Sequence, residues 1–325
     1  MSITELHELL ACPSCGDRLV MDAEQAGCGR HSFPIESGIP RLLPRDLMQV
    51  RAGIADTSLR ARTYASFGFE WQRFSSHLRS YRDNFEWYRE PLGDASLAGR
   101  TVLDAGCGMG RHTHHFLGAG ARVVAVDASA AIDVAARNNP SASAALFVQG
   151  DILSLPVRPQ SFDVVCCLGV LHHLEQTAEA LGQLVKAARP GGTLLLYLYH
   201  DPAEFSRLRG FLIGIVALLR RLTTRLPMGV LHPMAAVIAA LLYGTYVGPM
   251  KLLARVGSER VRQFPLGQYV DYPFRVLWND QFDRFSAPLE KRYRRAAVEK
   301  MLVEAGLTEI RIFGGYGWRI AARVP

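Results

Sequence analysis

The stretch Val102-Leu103-Asp104-Ala105-Gly106-Cys107-Gly108-Met109-Gly110-Arg111 carries the residue types a nucleotide-like cofactor needs: an apolar strand, a glycine-rich turn and the opening of a helix. Gly106, Gly108 and Gly110 lack a Cβ, so the chain can take positive φ there and a ligand can lie directly on the backbone. Their spacing is G-x-G-x-G, not the dinucleotide pattern G-x-G-x-x-G, and Asp104 stands two residues before the first glycine. A carboxylate in that position repels a pyrophosphate and attracts a cation.

S-adenosylmethionine fits that charge pattern, since it has a sulfonium, an ammonium and no phosphate. A second apolar strand, Arg122 to Val126, ends in Asp127, about 20 residues past the first glycine, where an acid accepts both ribose hydroxyls. A third, Ala145 to Gln149, leads to Gly150-Asp151-Ile152, whose acid either takes the adenine amino group or caps a helix. A fourth, Phe162 to Leu168, runs into Gly169-Val170-Leu171-His172-His173-Leu174; Arg189-Pro190-Gly191-Gly192 precedes a fifth, Thr193 to Tyr199. The expected cofactor residues are Asp104, Ala105, Gly106, Cys107, Gly108, Asp127, Ala128, Asp151, Ile152 and Leu168. Tyr64 and Trp71 join them from an aromatic segment upstream, as stacking or cation–π partners, although plain packing explains the same aromatics.

The ordered set Asp-x-Gly-x-Gly-x-Gly, Phe-Asp-x-Val, Leu-His-His-Leu and Arg-Pro-Gly-Gly resembles the class I, Rossmann-like methyltransferases over residues 98 to 200 and the C-terminus. That resemblance implies an α/β fold with a seven-stranded sheet, helices on both faces, and strands six and seven near Glu309–Phe313 and Gly317–Val324. The implied chemistry is in-line displacement of a methyl group from sulfonium, much of it achieved by alignment. His172 or His173, where the fourth strand meets the crevice, is the candidate base for a hydroxyl acceptor, or merely shapes the pocket. His112 and His115 read as helix surface or pocket wall. Cys107, Cys166 and Cys167 read as small core residues.

A second chemistry stands near the N-terminus. Cys12-Pro13-Ser14-Cys15 and, twelve residues on, Cys28-Gly29-Arg30-His31 have the spacing of a closed Cys₃His structural zinc site. A segment of 44 residues has little core and needs the metal to fold, unless the ribbon is a degenerate one without metal. Its closing run, Pro34-Ile35-Glu36-Ser37-Gly38-Ile39-Pro40-Arg41-Leu42-Leu43-Pro44, resembles the zinc-ribbon activator subunits of tRNA and release-factor methyltransferases. Bacterial large-subunit rRNA guanine methyltransferases open similarly, which keeps an RNA substrate open.

The chain must position these residues with 325 positions, 49% hydrophobic and 21% charged, enough for one good core and an appendage. The net charge of +7 permits an anionic partner without requiring one. Glu5, His7 and Glu8 stand where a signal sequence would be apolar, which points to the cytoplasm. The expected units are a zinc ribbon (1–44), a helical bridge over the cofactor (45–98), the cofactor core (99–200), an apolar and basic helical insertion acting as substrate lid (201–285), and a C-terminal helix with the final hairpin (286–325).

The insertion holds eleven Lys and Arg against five Asp and Glu over 202–285, and no charged residue from Leu226 to Met250. Pro227, Pro233 and Pro249 are expected to break that run, leaving Met234 to Gly248 as its longest helix, shorter than the ~20 residues of a span. Residues 211–250 then suit peripheral contact with the inner face of the membrane, a lid over a greasy acceptor, a dimer interface or plain core. Arg275, Asp280 and Asp283 are candidates for the substrate mouth. Three functions stay open: methylation, with O-methylation favoured, of a small-molecule, lipid-linked or glycan-linked acceptor in biosynthesis; methylation of rRNA or tRNA, disfavoured because an uncharged stretch is not a nucleic-acid surface; and a non-catalytic interaction protein on the same fold.

Overall fold

The computed structural model describes residues 3–51, 58–140, 143–204, 207–257, 261, 264 and 266–325. The N-terminal segment forms helix α1 (Ile3–His7) and the short strands β1 (Val20–Met21), β2 (Gln25–Gly27), β3 (Ser32–Glu36) and β4 (Ile39–Leu42). Three helices follow: α2 (Arg45–Arg51), α3 (Leu59–Arg73), capped by the Ser58 hydroxyl at Ala61 N, and α4 (Tyr81–Arg89). Strands and helices then alternate: β5 (Thr101–Ala105), α5 (Arg111–Gly118), β6 (Arg122–Asp127), α6 (Ala131–Asn138), β7 (Ala145–Gly150), β8 (Phe162–Leu168), α7 (Thr177–Ala187) and β9 (Ala188–Leu198). The insertion supplies α8 (Arg207–Thr223), α9 (Met228–Leu242), α10 (Gly248–Arg255) and α11 (Phe274–Ser286). Helix α12 (Arg295–Glu304) and the hairpin β10 (Thr308–Phe313) and β11 (Trp318–Arg323) end the chain.

All the strands hydrogen-bond into one mixed sheet of eleven, in the order β1-β2-β3-β4-β7-β6-β5-β8-β9-β11-β10. Strands β5 to β9 run parallel, and their Val- and Leu-rich centres are buried because helices cover both faces. Strand β11 enters antiparallel between β9 and β10. The sheet is thus wider than the seven strands expected: seven strands lie from Thr101 onward and four in the N-terminal segment. Strand β4 pairs parallel with β7, Arg41 opposite Gln149 and Leu42 opposite Gly150. It thereby covers an edge that would otherwise expose unpaired backbone groups.

That join corrects the expectation of a free-standing ribbon. Leu6, Leu10, Cys12, Leu19, Phe33 and Leu42 are buried in the same core as Val148, Ile152 and Val157. Backbone bonds from Ala11 N to Pro156 O (3.1 Å) and from Arg158 N to Leu9 O (2.7 Å) stitch the two together.

The insertion corrects a second expectation. Met228 to Arg255 is one continuous helix of 28 residues, despite Pro233 and Pro249. Pro233 lies within α9 near its start, while a π-helical stretch, Tyr243–Val247, immediately precedes Gly248 and Pro249. A wider turn just before a proline relaxes its clash with the carbonyl four residues earlier. Among the described residues this is the helix long and apolar enough to cross a membrane by length and composition. Glu259, Arg260 and Arg262, counted in the insertion's charge, lie outside the described residues.

Candidate active site

The β5–α5 turn takes the conformation its glycines allow, with φ of 78°, 55° and 80° at Gly106, Gly108 and Gly110. Each glycine also admits a neighbour a side chain would exclude. A Cβ on Gly106 would lie 2.4 Å from Val170 Cγ2, and one on Gly110 would lie 3.0 Å from Ala135 of α6. Val170, from the loop after β8, thus packs directly on the cofactor turn.

Asp104 ends β5 almost wholly buried, and its carboxylate accepts from the Thr113 hydroxyl at 2.6 Å. Burial pushes its pKa up to about 6, against the opposing help of Thr113. Asp127, at the end of β6, reaches back across the turn: one carboxylate oxygen accepts from Gly108 N (2.9 Å), the other from Ser129 N (2.9 Å) and Ser129 Oγ (2.6 Å). Burial raises its pKa as well. Both acids therefore stand at the carboxyl edge of adjacent parallel strands, where ligands bind in open α/β sheets. Ala105 and Cys107 are buried beside them, and Ala128 accepts a bond from the Gln149 amide at 3.1 Å. Leu168 ends β8 on the other side of Asp104 and is also buried.

Asp151 takes the capping position that the sequence allowed. It is fully buried, caps the short helix Ile152–Ser154 through Leu153 N (3.1 Å), accepts from Tyr64 Oη (2.6 Å), and is ion-paired with Arg60. Three donors thus hold the carboxylate, whose Oδ2 meets Arg60 alone. Ile152 is buried behind it.

Helix α3 lies along the crevice. Arg60 and Tyr64 hold Asp151, Gly68 lies against the Ser129–Ala130 turn below Asp127, and Trp71 covers Gly108 with indole Nε1 3.1 Å from where a Cβ would be. The spacing 60, 64, 68, 71 is one stripe of a helix. Sequence reading picked out Tyr64 and Trp71 but missed Arg60 and Gly68, although the i, i+4 spacing was available as a signal.

Beyond Trp71 the same helix turns Glu70 inward toward Asn279, Asp280 and Asp283 of α11, beside Arg111 and the tyrosines at the end of β9. Glu70 is 1% exposed and its Oε2 has no protein partner. Burial, with Asp283 and Asp280 nearby, raises its pKa well above the ordinary range. Tyr199 Oη donates to Asp283 Oδ2 (3.3 Å), leaving Oδ1 unpartnered, and Tyr269 Oη donates to Asp280 (2.6 Å). Arg111 lies over the rings of Trp71 (5.4 Å) and Tyr81 (5.3 Å). Arg275, by contrast, is exposed and donates to the Arg73 carbonyl, away from these acids.

The two candidate histidines separate clearly. His173 is tied by Nδ1 to Leu289 O at 2.6 Å and meets the edge of Phe67, which makes it an anchor. His172 is fully buried, stacks on Tyr199 with centroids 3.9 Å apart, and neither ring nitrogen has a protein partner. Burial holds it neutral, well below the ordinary histidine pKa. His112 is a wall of the same region, edge-on to Tyr88. Cys107, Cys166 and Cys167 are buried thiols, as their setting in strands and turn suggests.

At the far edge of the sheet Cys12, Cys15, Cys28 and His31 bring their ligand atoms within 4.8 Å of one another. Cys12 Sγ and Cys28 Sγ each lie 3.5 Å from His31 Nδ1, and the Cys15 and Cys28 sulfurs are 3.6 Å apart. Those separations fit the edges of a tetrahedron with metal–sulfur bonds of about 2.3 Å.

The strand order, the glycine turn and the two acids at its margins are those of an α/β methyltransferase fold. The family described as a methyltransferase domain matches residues 103–196. Among curated proteins, the tRNA U34 carboxymethyltransferase of Methylococcus capsulatus is 36% identical over 120 residues, which are 36% of this chain and 37% of that one. The mitochondrial ubiquinone biosynthesis O-methyltransferase of Schizosaccharomyces pombe is 38% identical over 105 residues, covering 31% and 38%. The malonyl-[acyl-carrier protein] O-methyltransferase of Pseudescherichia vulneris is 32% identical over 130 residues, covering 40% and 50%. Each match spans half or less of the relative's length.

Proposed function

We propose that this protein transfers a methyl group to the oxygen of a small-molecule, lipid-linked or glycan-linked acceptor in biosynthetic metabolism in the cytoplasm. The observation that carries the reading is the pairing of Asp104 and Asp127 across a turn of three positive-φ glycines at the carboxyl edge of the sheet. S-adenosylmethionine, when bound, supplies the methyl group as a sulfonium. Asp104 offers charge to the cationic end, the Asp127 carboxylate exchanges its bond with Gly108 N for the ribose hydroxyls, and Trp71 and Val170 close over the turn. Turnover then depends on an acceptor aligned from the side of Tyr199, with His172 neutral and free to take its proton. The free Asp283 oxygen accepts a hydroxyl or amine proton of that acceptor, and Glu70, whose pKa burial raises, donates from its protonated form. Cys12, Cys15, Cys28 and His31 hold one structural zinc.

The decisive experiment is calorimetry with S-adenosylmethionine. The wild type binds, and Asp127→Ala loses at least about tenfold, because a charge-assisted pair to the diol is removed. No binding by the wild type overturns the reading, and equal affinity in the variant removes Asp127 from the site. A tRNA acceptor is the second reading, favoured by the tRNA substrate in the name of the Methylococcus relative and by the Cys₃His cluster. Label transfer from S-[methyl-³H]adenosylmethionine to bulk tRNA rather than to the lipid extract would select it.

A further inference from the structure

The insertion is apolar on two faces and packed on only one. Leu231, Ala235 and Ala239, at i, i+4 and i+8, are fully buried and pack with residues of α11, Leu277, Trp278 and Phe282. On the other side of the same helix Val230, Val237 and Leu241 are exposed, the last by 62%. Helix α8 adds a matching stripe, with Phe211, Ile215, Leu218 and Leu222 at i, i+4, i+7 and i+11, all exposed, Leu222 by 67%. A soluble helix ordinarily puts polar residues there.

Charge selects what covers this face. Between Glu204 and Glu259 there is no Asp or Glu, whereas Arg207, Arg221, Arg225 and Arg255 stand exposed around the apolar stripes. A second copy of the same face would set cation against cation, and an anionic lipid surface complements it. Length alone would let Met228–Arg255 span a bilayer, yet only one face is free to meet lipid. Buried contacts run along the other from Leu231 to Met250, which packs with Val261 and Val270. Spanning would strip those contacts and draw the acids of α11 toward hydrocarbon.

We propose that α8 and the continuous helix Met228–Arg255 dock the protein flat on an anionic phospholipid surface, without spanning it. This stands independently of the methyl-transfer reading. The lipid interface is then near Glu70, Asp283 and Tyr199, because α11 carries Asp283 and also seats α9. An amphiphilic acceptor would pass from bilayer to site along that helix.

Sedimentation with vesicles of phosphatidylcholine containing phosphatidylglycerol tests this. The wild type pellets with the mixed vesicles, pellets less with phosphatidylcholine alone, and is released by salt. Leu218→Asp with Leu222→Asp, and separately Val237→Asp with Leu241→Asp, lower the bound fraction at least about tenfold. Arg221→Glu and Arg225→Glu, which touch no core, lower it about fivefold each and keep the test open should an aspartate pair unfold the protein. Melting curves and S-adenosylmethionine calorimetry on the same samples separate loss of docking from loss of the cofactor site. A wild type that stays in the supernatant, or aspartate variants that pellet like it, overturns the proposal. So does a gel-filtration dimer that these variants dissolve with vesicle binding unchanged, since the face would then cover a second copy.

Discussion

At the scale of single residues the cofactor site is a question of how a buried charge is kept ready. Asp104 ends β5 with one hydroxyl donor and a pKa raised to about 6 by burial. A cation binds only the ionised form, so proton and S-adenosylmethionine compete below that value. Affinity measured by calorimetry is therefore expected to be flat above pH 7 and to fall toward pH 5, approaching tenfold per unit once the acid is mostly protonated. In Asp104→Asn the affinity should be lower and the slope absent. A wild-type profile flat from pH 5 to 8 would mean that Asp104 faces no part of the ligand. These residues were legible in the sequence because a glycine turn after an apolar strand constrains both backbone and neighbours. Glu70 was not, since it lies within an aromatic helical run and meets its partners 209 to 213 positions away in sequence, on α11. Asp151 stayed open between cap and ligand for a related reason: an acid after a strand serves as either, and its partner Arg60 comes from another element.

At the scale of elements α3 acts as a fourth wall. Its stripe of Arg60, Tyr64, Gly68 and Trp71 touches three parts of the cofactor crevice at once, so a change at one point should move the whole helix. Gly68 lies against the β6–α6 turn, where a Cβ would be in ordinary contact, 3.4 Å from Ala130 N and 3.5 Å from Ser129 Cβ, and larger side chains would meet the turn. Leucine there has no room beyond the first carbon and lifts α3 from the β6–α6 turn. Gly68→Leu is expected to weaken S-adenosylmethionine binding more than tenfold while far-ultraviolet dichroism stays that of the wild type. Arg60→Ala should instead act on stability, by about 3 kcal/mol in urea unfolding, because it leaves the fully buried Asp151 short of its countercharge. If Gly68→Leu binds S-adenosylmethionine normally, α3 is only packing. Helices were expected in the bridge and in the insertion, yet the expectation erred where proline was taken to end a helix. Pro249 follows a π-helical stretch and Pro233 stands near a helix start, and neither setting is visible in local composition.

At the scale of the whole molecule the eleven-stranded sheet makes metal site and cofactor site parts of one body. The N-terminal strands were expected to stand alone and to depend on zinc; their apolar residues are instead shared with β7 and the loop after it. With zinc bound, the Cys₃His cluster would then not fold a separate module but fasten the hairpins that cover the sheet's edge. Elemental analysis should find one zinc per chain, lost in Cys12→Ser. Because the core is common, chelation should lower the melting temperature of a single cooperative transition, not release a small early one. The loosened edge should also show in faster amide exchange along β7, which carries Gln149 beside the Asp127 turn, and from there in weaker S-adenosylmethionine binding. Two separate calorimetric transitions on chelation, with β7 exchange unchanged, would make the ribbon an independent unit and leave the backbone bonds between Leu9 and Arg158 without mechanical consequence.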